Sequence, residues 1–531
     1  MFGTTLSGDF LAARTAATPD RTALLDLESG EAWTYRELDD AAEAAAGTLS
    51  AALDGERMPS GGQSRLGILC STRPAYVVLL YAAWRLGWTV VPLHARLAAG
   101  ELSTRIRRVD PEVVVCEQET EALLFDALAD ADAPDSILSV DEPQREEIDG
   151  VVPEGQAGGQ QIAAASVGTP VGPEETALLV FTSGTTGEPK GVRLTPRNLG
   201  ASAIASAFRL GVAPADRWLC CLPMYHMGGL APAIRTVLYG TELAIQPTFE
   251  ASETAETLAE RGITGVSLVP TQLKRLLDTT NGLPAPDLRT VLLGGAPASE
   301  SLLSRADEAA VPVYPTYGMT ETASQVATAR PREHREHPGT VGQPLLGTRV
   351  TVLSRESESG EGVPVEPGER GEIVVAGPTV TPGYLDEERT AEAFGPHGLH
   401  TGDVGRRDDD GRLWIAGRVD DMVLSGGELV APAAVAEQLR AVEGVADVAV
   451  LGIPDEEWGE AVAALVVPAD GSGTEQLRDE ITSHCRTELA DYKSPKVVEF
   501  TDDLPRTQSG TVDREATEEL LTGRRSRRGT D

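Results

Sequence analysis

A chain of 531 residues exceeds one compact core, and at roughly 150 residues per unit it makes three or four structural units grouped into two domains. A composition that is 41% hydrophobic and 24% charged describes a soluble globular protein and excludes collagenous or wholly disordered classes. Its 82 acidic and 45 basic residues give a net charge of −37, which argues against nucleic acid as a partner and fits a high-salt cytoplasm, where the Debye length falls to about 3 Å or less.

From the N-terminus, Met1-Phe2-Gly3-Thr4-Thr5 lacks the basic and apolar regions of a signal peptide, and the apolar run Ala75 to Trp84 is about half a membrane span. A cytoplasmic protein with no membrane span is expected. The stretch from Asp130 to Glu175, rich in Gly, Pro, Ala and acid, reads as surface connection. Beyond it, apolar runs enter glycine- and hydroxyl-rich loops: Leu178 to Phe181, Gly265 to Val269, Val291 to Leu293 and Val311 to Tyr314. Such runs, alternating with helical patterns, predict a parallel α/β sheet buried on both faces, with ligand loops at the carboxyl ends of its strands. Glu333-His334-Arg335-Glu336-His337 matches neither H-E-x-x-H nor H-x-x-E-H and, flanked by Pro331 and Pro338, is expected in a solvated loop. After Gly417, strands at Val448 to Gly452 and Ala461 to Val467, a helix at Glu475 to Leu489 and a strand at Lys496 to Phe500 predict a small α+β domain. The tail Arg524 to Arg528 is expected to fray. Cys70, Cys116, Cys220, Cys221 and Cys485 form no CxxC pair and are expected as buried free thiols.

The sharpest string is Phe181-Thr182-Ser183-Gly184-Thr185-Thr186-Gly187-Glu188-Pro189-Lys190-Gly191. After a buried strand, glycines and hydroxyls let backbone N–H groups face an anion, and a lysine follows. Only four lysines occur in the chain (Lys190, Lys274, Lys493 and Lys496), so one at this position carries weight. The string is not a Walker A loop, since Glu188-Pro189 separate Gly187 from Lys190.

This string resembles the phosphate loop of the adenylate-forming superfamily of acyl-CoA synthetases, luciferases and peptide-synthetase adenylation domains, and the resemblance covers nearly the whole chain. It implies a large N-terminal domain over 1–419, with parallel and mixed sheets flanked by helices, and a mobile C-terminal domain over 420–531. Tyr317-Gly318-Met319-Thr320-Glu321 is similar to the family's Y-G-x-T-E, which implies that Tyr317 packs on adenine, Thr320 contacts the α-phosphate and Glu321 holds Mg²⁺. Thr401-Gly402-Asp403 implies that Asp403 binds the ribose, and Gly417-Arg418-Val419-Asp420 implies a hinge at Asp420 with Arg418 on the nucleotide. Gly294-Gly295-Ala296 resembles the loop along which acyl group and adenine lie. Ser425-Gly426-Gly427-Glu428 resembles the loop that serves the thioester step, with Gly426 and Gly427 on the CoA side. The implied substrates are ATP, CoA and a small carboxylic acid; a homo-oligomeric state stays open.

One position departs from the family. P-R-x-x-x-G-K ends in a lysine, whereas Pro505-Arg506-Thr507-Gln508-Ser509-Gly510 is followed by Thr511. Three explanations compete: Mg²⁺ and Lys190 carry more of the load, Arg514, Lys493 or Lys496 substitutes, or the enzyme is weakened.

Leu222-Pro223-Met224-Tyr225-His226-Met227-Gly228-Gly229 resembles the family's acyl gate. Together with Val91 to Leu97 and Tyr317 to Gln325, it is most similar to the o-succinylbenzoate–CoA ligases of menaquinone synthesis. His226 is then a pocket wall or a donor to substrate, or else a structural histidine. Ser324 and Gln325 are candidate polar contacts to a second carboxylate or keto group, or else helix-start residues. An aryl- or medium-chain-acid CoA ligase and a non-catalytic adenylate-binding protein are the alternatives.

Overall fold

The computed structural model describes residues 9–53, 62–129, 133–152, 168–182, 189–279, 283–354, 362–418, 422–425, 428–455, 459–469, 474–489, 493–507 and 511–528. The chain forms two compact units, Met1–Val350 with Val375–Leu399, and Thr351–Val374 with His400–Asp531. The domain boundary expected at Asp420 lies outside the described residues.

The first unit holds two mixed sheets. In the nine-stranded one, Arg217–Cys220, Glu242–Ile245, Gly265–Leu268, Thr290–Leu293 and Val313–Tyr317 run parallel. Every residue of Gly265–Leu268 and of Thr290–Leu293 is buried, which is why these strands read as continuous apolar runs. Antiparallel strands Ala327–Thr328 and Gln343–Pro344 finish one edge, and Ala32–Thr34 finishes the other. The eight-stranded sheet runs Gly383–Tyr384, Lys190–Leu194, Leu178–Thr182, Thr89–Pro92, Arg65–Leu69, Val113–Cys116, Ser136–Ser139, Gly150–Val151. The apolar run at Ala75 forms the helix Pro74–Arg85, buried along its whole length in the largest core. No helix among the described residues is long and apolar enough to cross a membrane.

In the second unit, Glu428–Val430, Val423–Ser425, Gly459–Pro468 and Val445–Asp455 form a sheet with Val497–Phe500 added parallel to Gly459–Pro468. One core unites these strands with helices Pro432–Arg440 and Thr474–Glu488, and a second gathers Leu451, Ile453, Leu465 and Leu521. A further five-stranded sheet is built from Arg349–Leu353, Arg370–Ala376, Gly398–Arg407 and Phe394–Gly395, with Leu413–Arg418 paired on Gly398–Arg407.

Three expectations need correction. The stretch from Asp130 contains two strands, because Ser136–Ser139 is buried at every position and Ser136 Oγ satisfies itself on Asp149 Oδ2 at 2.8 Å, which disguises a strand as polar connection. The Glu333–His337 segment is helical over Pro331–Glu336, started by proline at its first turn and by Glu333 accepting from the Arg330 N–H at 3.1 Å. His334 is buried there, 3.3 Å from Asp307. The arginine tail continues the helix Arg514–Arg528, which the fully buried Leu521 anchors. All five cysteines are free and buried, as expected.

Candidate active site

Strand Leu178–Thr182 is apolar and buried up to its last residue, and antiparallel pairing sets Thr182 opposite Lys190. The two ends of the candidate phosphate loop are therefore held side by side, with Ser183, Gly184, Thr185, Thr186 and Gly187 outside the described residues. Arg108 Nη1 donates to the carbonyl of Pro189 at 2.7 Å and secures the loop's exit. Lys190 Nζ lies 5.6 Å from the centroid of the Tyr384 ring.

Tyr317 ends strand Val313–Tyr317, and Thr320–Thr322 forms one 3₁₀ turn. Between them only glycine fits, since a Cβ on Gly318 would stand 1.7 Å from the Ser324 carbonyl oxygen. The buried Glu321 accepts the Tyr384 hydroxyl proton at Oε1 over 3.0 Å, and its backbone carbonyl accepts the Thr381 N–H at 2.7 Å. Gly294 lies hard against the same strand, where a Cβ would meet Thr316 Cγ2 at 2.7 Å, and Gly295 turns with φ +81° before Ala296. One unit thus assembles Thr182, Lys190, Tyr384 and Glu321 as a connected series.

The donor chemistry fits Mg²⁺. Glu321 is a hard oxygen ligand with no ion pair to a cation among the described residues. Those residues contain no group of three metal-ligating side chains, so a cation at Glu321 would take its remaining ligands from phosphate and water, as Mg²⁺ does.

In the second unit, Asp403 is buried on strand Gly398–Arg407, and its N–H donates to Thr401 Oγ1 at 3.0 Å. The partner strand sets Arg418 directly opposite, where its Nη1 donates to Asp403 Oδ1 at 3.2 Å and to the Thr401 carbonyl at 3.0 Å. Asp420, Gly426 and Gly427 lie outside the described residues. Thr511 shares its hydroxyl with that of Thr507 at 2.7 Å, so the residue standing at the family's lysine position is tied into its own turn.

His226 occupies the position immediately before helix Met227–Tyr239, without a side-chain hydrogen bond to the helix start. Its ring meets Tyr225 at 4.8 Å and His94 at 5.4 Å, while His94 and Tyr225 lie 4.1 Å apart. Burial first, then the neighbouring Arg105, lowers the His226 pKa to about 4; burial, His226 and Arg105 bring His94 to about 4 as well. Both rings are neutral near pH 7. Ser324 is not at a helix start: its φ is +122°, and its Oγ accepts from Nη2 of the buried Arg235 at 2.9 Å. The buried Gln325 donates to Thr328 Oγ1 at 2.8 Å, and its Oε1 has no hydrogen-bond partner among the described residues.

Tyr384 and Arg235 escaped the sequence reading. Arg235 had a signal, a lone charge in an otherwise apolar helix; Tyr384 sits in a two-residue strand and had none.

Residues 11–385 match the AMP-binding enzyme family, and residues 434–511 match the AMP-binding enzyme C-terminal domain. The 2-succinylbenzoate–CoA ligase of Bacillus cereus (strain ATCC 14579) is 35% identical over 516 residues, covering 97% of this chain and 98% of that protein. The o-succinylbenzoate CoA synthetase of Bacillus subtilis, solved with the acyl-adenylate intermediate OSB-AMP, superposes with a TM-score of 0.83 at 30% identity over 96% of this chain and 98% of the other. The same enzyme solved with ATP and magnesium ion gives 0.80 at 31% identity, over 96% and 98%.

Proposed function

The chain belongs to the AMP-binding enzyme family, and we propose that within it the protein is a 2-succinylbenzoate–CoA ligase that forms an acyl-adenylate and then an acyl-CoA thioester. The observation that carries this reading is the end-to-end similarity to 2-succinylbenzoate–CoA ligases, at 35% identity over 97% of the chain. Inside the fold it is supported by the neutral His226 at the acyl gate and by Ser324, whose hydroxyl the buried Arg235 holds. A second carboxylate on the acid calls for such polar groups in an otherwise apolar pocket.

In the first half-reaction the acid's carboxylate attacks the α-phosphate of ATP, and pyrophosphate leaves. Thr182 to Gly187 cradle the phosphates, Lys190 and Thr320 supply positive charge and a hydrogen bond, and Tyr317 packs on adenine beside Gly294, Gly295 and Ala296. Mg²⁺ held by Glu321 supplies charge neutralisation on the phosphates when bound. Asp403 and Arg418 exchange their mutual contact for contacts with the nucleotide. The segment after Asp420 then turns, Gly426 and Gly427 admit the CoA arm, and the thiolate displaces AMP. We further place the enzyme in a high-salt cytoplasm, a reading supported by the net charge of −37.

The test is mass detection of CoA thioesters in concentrated KCl with ATP, Mg²⁺, CoA and competing 2-succinylbenzoate, benzoate, hexanoate and acetate. The expected dominant product is 2-succinylbenzoyl-CoA. Dominance of another thioester would keep the ligase and remove the substrate. For the salt reading, the unfolding midpoint should rise between about 0.1 M and about 1 M KCl as the Debye length shrinks; a falling midpoint would contradict it.

A further inference from the structure

Lys190 and Glu321 carry opposite charges within one unit, yet among the described residues they form no ion pair. Tyr384 stands against both. Its ring receives the ammonium at 5.6 Å, within cation–π reach, and its hydroxyl donates to the carboxylate at 3.0 Å. The tyrosine itself is buried and held from several sides. Gly383–Tyr384 pairs antiparallel with Lys190–Leu194, the Tyr384 N–H donates to Thr390 Oγ1 at 2.9 Å, and the Leu385 N–H donates to the Gly191 carbonyl at 2.7 Å. Gly383 permits this approach, with φ +144° and Thr390 Cγ2 only 2.4 Å from where a Cβ would stand.

We propose that Tyr384 is a positioning residue that keeps the phosphate-loop lysine and the metal-binding glutamate apart, so that each keeps its charge for the metal–nucleotide complex. A direct Lys190–Glu321 pair would neutralise both groups before substrate arrives. A neutral ring satisfies each by a weaker contact that the stronger charges of phosphate and cation can displace or outbid. The hydroxyl also orients Glu321, directing Oε1 and leaving Oε2 for a cation. This inference rests on the reading of Glu321 as the metal ligand.

The experiment uses the full-length protein with a non-hydrolysable ATP analogue and Mn²⁺ as the paramagnetic probe, and reads the Mn²⁺ dissociation constant by EPR. Tyr384→Phe keeps the ring and loses the hydroxyl; about a tenfold weaker Mn²⁺ affinity is expected, the effect of one hydrogen bond to a charged acceptor. Tyr384→Leu removes the spacer as well and should weaken Mn²⁺ further. Pyrophosphate release gives a second readout: in Tyr384→Phe the Mg²⁺ concentration for half-maximal rate should rise by a larger factor than the saturated rate falls. Unchanged Mn²⁺ affinity in both Tyr384→Phe and Tyr384→Leu, alongside weakened affinity in Glu321→Gln, overturns the role of Tyr384 alone. Unchanged affinity in Glu321→Gln overturns the metal-site reading beneath it. A thermal midpoint for each variant separates loss of fold from loss of metal.

Discussion

The candidate-site charges are held in contrary ways in the two units, although ion pairs such as Arg85 with Asp9 occur elsewhere in the first. In the first, Lys190 lies over the Tyr384 ring and Glu321 accepts that tyrosine's hydroxyl, and among the described residues the two charges form no ion pair with each other. In the second, Arg418 closes on Asp403 at 3.2 Å. Separated charges are ready for a ligand that brings phosphate and cation together. Paired charges keep a buried carboxylate such as Asp403 satisfied until a ligand replaces the partner, since an unpaired buried charge is costly. On the proposed function, the difference distinguishes residues that wait for substrate from residues that exchange a contact for it.

That contrast is broken most severely at Lys190. Lys190→Ala should lower pyrophosphate release by about 10²-fold or more, the scale for losing one preorganised electrostatic contact to a transition state; a loss below about tenfold would show that the loop does not depend on it. Next comes Arg418→Ala, which strands Asp403. We expect the KM for ATP to rise about tenfold, with only partial recovery in Arg418→Lys, because an ammonium lacks the guanidinium's fork. Full recovery by lysine would make Arg418 a simple point charge.

A smaller effect is expected from pH. His94 and His226 are held neutral down to about 4, against an ordinary value of 6.5. Between those values the unfolded chain takes up protons that the folded one refuses. The stabilising neutrality is fully present above pH 6.5 and is lost progressively as pH falls toward 4. His94→Gln should therefore flatten the decline of the thermal midpoint across that window; an unaltered slope would contradict the assignment. The smallest effect belongs to Thr511→Lys, expected to speed adenylate formation a few-fold without changing the thioester step, measured by pyrophosphate release and by single-turnover CoA transfer. An unchanged or slower release would show that the position needs no cation.

The α/β class, the buried strands and the glycine turns after Thr290–Leu293 and Val313–Tyr317 were legible because continuous apolar runs and glycine act locally. Ser136–Ser139 was not, since its burial depends on pairing with Val113–Cys116 and on Asp149 satisfying its serine. The His334 helix was hidden because the contact that buries it, Asp307, comes from another part of the chain. Tyr384 shows the same limit at the site: its role comes from Lys190 and Glu321, brought to it by the fold rather than by neighbouring sequence.

The most direct test of the two-step account is a single-turnover reaction of excess enzyme with 2-succinylbenzoate and Mg·ATP, quenched for mass analysis before and after CoA is added. The account predicts 2-succinylbenzoyl-adenylate and pyrophosphate without CoA, then conversion of that adenylate to thioester with release of AMP. Thioester formed with no adenylate preceding it, or no adenylate in folded protein, would contradict it.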